Sequence, residues 1–129
     1  AGDDDDSAAG DDDDSAADSL EIIGVWDTSL GPQTITESTW SSGSSIWHIS
    51  QYDNAADYLV AQNDANNAWS ASLWSRFDWH WDSSGQLWYC QTCYNCADEA
   101  AALATAAADS SDPATAGCST FPWSSLTPQ

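Results

Sequence analysis

In Trp74-Ser75-Arg76-Phe77-Asp78-Trp79-His80-Trp81-Asp82 polar and aromatic side chains alternate from Arg76 onward. A period of two marks a β-strand, whose successive side chains leave opposite faces. Arg76, Asp78, His80 and Asp82 then share one face, and Phe77, Trp79 and Trp81 the other. Outward from this stretch, β-branched and aromatic residues gather between Gly, Ser, Asn and Asp groups. That pattern predicts strands at 19–28, 33–40, 45–51, 58–62, 71–81 and 86–94. The connections SLGP, SSGSS and DSSG carry hairpin chemistry, since Gly accepts positive φ and Ser or Asp bonds local backbone. Segments 52–57 and 63–67 read as longer loops. The prediction is a mainly β domain, a six-stranded antiparallel meander closed as a barrel or sandwich.

ADEAAALATAAAD at 97–109 breaks the pattern. Its alanines favour helix, and two acids near its start suit the positive end of a helix dipole, so one Ala-rich helix is predicted there. Residues 110–113 end it, and Cys118, Phe121 and Trp123 return the chain to the barrel wall. The four cysteines are Cys90, Cys93, Cys96 and Cys118. They form either disulfides or a thiolate metal site, and the spacing favours disulfides: a zinc site usually shows two well-separated Cys/His pairs, whereas here C-x-x-C spacing is confined to the run 90–96 and Cys118 has no close partner. A Cys90–Cys118 bridge would staple the helical excursion to the sixth strand, contributing roughly 3 to 4 kcal/mol by loop closure. Cys93–Cys96 would follow, with other pairings open. Disulfides point to an oxidising, extracellular or outer-surface location.

Charge narrows the partners. Lysine is absent, Arg76 is the only arginine, and 21 acidic residues give a formal net charge of -20. Nucleic acids and anionic membrane surfaces select Lys/Arg patches that this chain cannot build. Metal cations, basic proteins and neutral glycans remain. No apolar run reaches membrane length, so no membrane insertion is expected. Residues 1–18 repeat GDDDDSAA twice and read as a spacer, disordered in water unless a partner orders it, ahead of one disulfide-stapled domain at 19–129. Hard cations prefer carboxylate oxygens, so Asp3, Asp4, Asp5, Asp6, Asp11, Asp12, Asp13 and Asp14 are the candidate calcium ligands. No cofactor is otherwise required. The Asp-rich start resembles the spacers that follow the lipidated cysteine in bacterial surface lipoproteins.

Gly24-Val25-Trp26 on the first strand is a G-x-W element, followed by a meander and a late helix held by a disulfide. This order resembles the lipocalin and wider calycin barrels. The resemblance implies that the glycine lets the chain bend at the barrel floor, that Trp26 closes that end under Arg76, and that the barrel holds a pocket.

The polar row of 74–82 could line a pocket or, through His80 and its acids, hold a metal. The simpler role for Arg76 is an ion-pair anchor for Asp78 or another acid. His48 joining His80 across the sheet would suit zinc or copper. The loops Tyr52-Asp53-Asn54 and Asn63-Asp64-Ala65-Asn66-Asn67 are rich in oxygen but lack calcium-loop spacing, and turn formation suits them better. Trp26, Trp47, Arg76, Trp79, Trp81 and Trp88 are the candidate ligand residues, with aromatic faces for a glycan or a small apolar molecule. No nucleophile motif, phosphate loop or dinucleotide fingerprint is present. The expectation is a non-catalytic extracellular binding module on an acidic tether. The alternative is a subunit of a self-assembling extracellular fibre, ordered by its tail through calcium or by addition to a free sheet edge. A third reading treats the charge as adaptation to a saline habitat.

Overall fold

A computed structural model describes residues 19–119 and 121–129. Eight antiparallel strands run in chain order: β1 (Gly24–Thr28), β2 (Gly31–Ile35), β3 (Thr39–Ser42), β4 (Ser45–Asp53), β5 (Tyr58–Asn63), β6 (Trp74–Trp81), β7 (Leu87–Cys96) and β8 (Ser124–Pro128). Each pairs with its neighbour, and β8 returns to β1 through Asp27 opposite Thr127, closing the barrel. The expected six strands are therefore eight, for two reasons. The predicted strand at 33–40 is split, because the Thr36 hydroxyl accepts the backbone N–H groups of Ser38 and Thr39 and turns the chain into a hairpin. The other added strand is β8, a serine-rich segment between prolines whose Leu126 is buried opposite Leu87. Closure also removes the free edge on which sheet-addition assembly would rely.

The predicted first strand begins late. Leu20 and Ile22 leave the sheet and enter one end of the barrel, where they join a core of Ile35, Trp40, Leu59, Phe77, Trp79, Tyr89 and Leu126. The plug is stitched down by polar contacts. Asn54 receives the Glu21 N–H and donates to the Ser19 carbonyl, while Trp79 Nε1 donates to Glu21 at 2.7 Å. Trp40 stacks on Phe77 with centroids 4.3 Å apart, and Tyr89 tilts against Trp40 at 5.0 Å. Their polar atoms are matched inside: Trp40 Nε1 donates to Gln33, and Gln33 donates to the Tyr89 hydroxyl. Burial raises the Tyr89 pKa, against the lowering effect of bonds to Gln33 and Ser124.

Helix α1 covers only Glu99–Ala104, although the alanine run continues to Ala108. Asp98 caps it by accepting the Ala101 N–H. Arg76 donates to the Leu103 carbonyl in the last turn of α1, and beyond the helix the chain extends as a strap over the outer face of β6, where Asp78 accepts the Ala108 N–H. Satisfying this buried pair outweighs the helix propensity of the alanines. Two disulfides, Cys90–Cys118 and Cys93–Cys96, complete the fold. The first anchors the strap to β7. No helix among the described residues is long and apolar enough to cross a membrane.

Candidate functional site

The alternation of β6 puts Phe77 and Trp79 in the core, while Arg76, Asp78 and His80 face outward beneath the strap. Arg76 Nε donates to Asp78 Oδ1 at 2.9 Å, and the guanidinium lies 4.3 Å from the Tyr58 ring centroid. Both side chains are less than a tenth exposed. Burial pushes the Asp78 pKa up, and the Ala108 N–H and then Arg76 oppose that rise. Arg76 is thus the ion-pair anchor and is not the cover of Trp26 that the barrel resemblance implied. Trp26 sits at the plugged end, where its Nε1 donates to the Ile22 carbonyl. A Cβ at Gly24 would stand 3.2 Å from that indole nitrogen, so the glycine lets the ring lie close to the strand.

Other expected ligand residues scatter. Trp79 is 2 % exposed and belongs to the core, so its face is closed to a ligand. Trp88 donates to Asp82, whose carboxyl is held low by the Ser84 hydroxyl and then by this indole. Trp81, at the plugged end of β6, is partly exposed. His80 packs edge-on against Trp123. His48 bonds Asp64 at 2.7 Å, an interaction that lowers the Asp64 pKa. His48 stands opposite Gln62, and Gln62 opposite Trp74, six residues along β6 from His80. At about 3.3 Å per residue that is roughly 20 Å, so the two histidines cannot share one ion.

Side chains of both oxygen-rich loops are occupied by backbone groups, of the loop itself in the first and of β4 in the second. Asp53 accepts the Ala55 and Ala56 N–H groups, and Asn67 pairs with both N–H and C=O of Ile46. Among the described residues no group of three or more His, Cys, Asp or Glu is placed to hold a metal. The candidate calcium ligands Asp3 to Asp6 and Asp11 to Asp14 lie outside the described residues.

The opposite end of the barrel is different. Its mouth holds a cavity of about 320 Å³ whose lining includes Trp47, Asn63, Asn67, Trp69, Gln91 and Tyr94, with Ser45 and Ser70 at its edge. Among the described residues no charged side chain lines it. Trp47 reaches in from β4 and meets Phe77 edge-on at 5.5 Å, which makes it the floor between core and cavity. Trp69, on the β5–β6 loop, is 83 % exposed and Tyr94, on β7, is 59 % exposed. Of the expected ligand residues, only Trp47 is here. Sequence reasoning missed Trp69 and Tyr94. The available signal was an aromatic residue standing in the polar run between Asn67 and Ser70, where no strand alternation accounts for it.

Asn63 organises this rim. It is buried, its amide nitrogen donates to the Ser70 carbonyl at 2.8 Å and to the Tyr94 carbonyl at 2.9 Å, and its oxygen accepts the Ser75 hydroxyl at 2.5 Å. Ser75 in turn accepts from Gln91 at 3.0 Å. One amide therefore ties the Trp69 loop and the Tyr94 strand to the same wall. Ser70 and Ser72 hold φ of 52° and 64°, a left-handed backbone that costs a non-glycine residue about 1 kcal/mol.

No family model matches the chain, and neither a curated protein nor a solved structure matches it. The fold defines an all-β antiparallel barrel, consistent in architecture with the lipocalin-like type.

Proposed function

We propose that this chain is a non-catalytic extracellular or cell-surface β-barrel domain, carried on its acidic N-terminal segment, that binds an uncharged small ligand at the mouth of the barrel. The observation that carries this reading is the contrast between the two halves of the interior. Below Trp47 the barrel is filled by its own aromatic and aliphatic side chains. Above it, three aromatic rings from three elements surround an open cavity with amide and hydroxyl groups between them. Its volume is at the small end of the roughly 300–1,000 Å³ typical of ligand sites, and its mix of apolar wall and few polar groups is usual for them. The ligand therefore sits at the mouth instead of deep within the barrel. The two disulfides are compatible with an extracellular setting.

The test is indole NMR of the full chain during titration with small uncharged fragments, both apolar and hydroxyl-rich. Shifts confined to the Trp47 and Trp69 indoles support the reading. Shifts centred on Trp26, Trp81 or Trp88, or none at any indole, overturn it.

A further inference from the structure

We infer that the mouth cavity takes the terminal ring of a neutral saccharide, an assignment that rests on the proposed binding role of that cavity. Ligand chemistry follows from what the lining offers and what it lacks. Trp47, Trp69 and Tyr94 contribute aromatic rings to the lining, and the faces of such rings attract flat C–H surfaces. Asn67 is clamped to the Ile46 backbone by bonds of 2.9 and 2.8 Å, leaving one donor and one acceptor position on its amide. Among the described residues, the Ser45 and Ser70 hydroxyls and the Gln91 side-chain oxygen have no protein partner. The lining thus combines donors and acceptors with aromatic rings. A sugar ring has the complementary surface, with C–H groups on its faces and hydroxyls around its edge.

The competing chemistries fit less well. A purely apolar molecule would strand the amide and hydroxyl groups without partners, at about 1–3 kcal/mol for each one fully desolvated. An anion meets no positive charge at the site and a chain of net charge -20. A quaternary ammonium would find rings but, among the described residues, no lining carboxylate, so its attraction would come from the rings and the acidic field of the chain.

The mouth is also built in advance. Ser70 turns left-handed immediately after the exposed Trp69, and the buried Asn63 amide ties the Ser70 and Tyr94 backbone carbonyls together. Holding rings in place before the ligand arrives reduces the ordering cost of binding. A weak ligand such as a single sugar depends on that saving.

The experiment titrates the full-length chain with neutral methyl glycosides, both anomers of glucose, galactose, mannose and N-acetylglucosamine, followed by indole NMR. Tetramethylammonium and hexanol serve as cationic and apolar probes. The expected result is a shift of the Trp47 and Trp69 indoles by at least one glycoside, with Kd on the order of millimolar. That affinity should be unchanged between about 0.1 and about 1 M NaCl, because a neutral ligand is not screened. Trp69→Ala, at an exposed loop position outside the core, should weaken it by about tenfold or more, the cost of losing one stacking ring. If tetramethylammonium or hexanol moves these indoles and no glycoside does up to about 100 mM, where a millimolar site would be filled, the saccharide assignment fails while the mouth remains a binding site. If no probe moves them, both readings fail. Glycoside shifts at Trp81 or Trp88 also overturn the assignment.

Discussion

Arg76→Met tests how the outer half of the fold is held. Arg76 and Asp78 are 7 % and 4 % exposed, and their contact is a charge-assisted bond of 2.9 Å. At an effective dielectric of about 20 and a charge separation near 4 Å, the attraction is about 4 kcal/mol. Removing the cation also removes the bond to the Leu103 carbonyl and the stacking on Tyr58. It spares the desolvation cost of the guanidinium, and Asp78 can escape part of its penalty by taking up a proton. Removing one partner of such a buried pair costs about 3–5 kcal/mol. With a urea m-value of about 1.5 kcal/mol/M for a domain of this size, the midpoint should fall by roughly 2–3 M at pH 7. Protonation of Asp78 relieves the stranded charge, so the deficit should be smaller at pH 5. Arg76→Met with Asp78→Asn should regain part of the loss. Urea titrations of the three chains at both pH values give the answer. A deficit at pH 7 below about 1 kcal/mol would refute the reasoning, because an exposed pair behaves that way.

Gly117 has φ of 104°, and a Cβ there would lie 1.9 Å from the Asp109 carbonyl oxygen, so Gly117→Ala must open the strap; a loss of at least about 2 kcal/mol is expected from urea unfolding. Cys90→Ser with Cys118→Ser removes a link spanning 28 residues and should lower stability by about 3 kcal/mol in the same assay. Burial first, then a hydrogen bond with Glu21 and repulsion from Glu21, Asp53 and Asp78, raise the Asp57 pKa from 3.8 to about 6. The folded chain then holds a proton there that the unfolded chain has released, so this contribution is full below about pH 4 and is lost as pH rises through about 6. Asp57→Asn should flatten that decline and raise stability at pH 7 by about 1 kcal/mol, allowing for solvent screening at a partly exposed site. An unchanged pH profile in thermal unfolding would contradict the assignment.

The strand character of β6 was legible because its polar and aromatic residues alternate from Arg76 to Trp81, and Ser75 to Trp79 proved to be buried on both faces. The division between β2 and β3 was not, because threonine and serine serve both strand and turn, and only the bonds made by Thr36 decide between them. β8 was hidden by its composition, since its strand identity comes from the partners it finds in β1 and β7. The excess length assigned to the helix has the same origin: alanine propensity is local, whereas the demand of Asp78 for the Ala108 N–H is tertiary. At the site, Trp47 could be read as inward-facing from its strand. Trp69 and Tyr94 could not be joined to it, because their meeting depends on how Asn63 connects two segments 24 residues apart in sequence.

One cation explains much of the polar design. A carboxylate is buried at tolerable cost only beside a matching charge, and a chain whose sole arginine is Arg76 has one such match to give. It is used outside the barrel, beneath the strap. Among the described residues, every other buried polar side chain is accordingly neutral: Gln33, Asn63 and Ser75. They form two uncharged networks, one around Tyr89 in the core and one below the rim. The second network supports the mouth, so the cavity inherits neutral chemistry from the scarcity of cations. The acidic exterior and the uncharged cavity then answer different demands. The first disfavours polyanions by repulsion, and the second, on the proposed reading, would select a ligand by aromatic rings and hydroxyl geometry, largely independent of ionic strength.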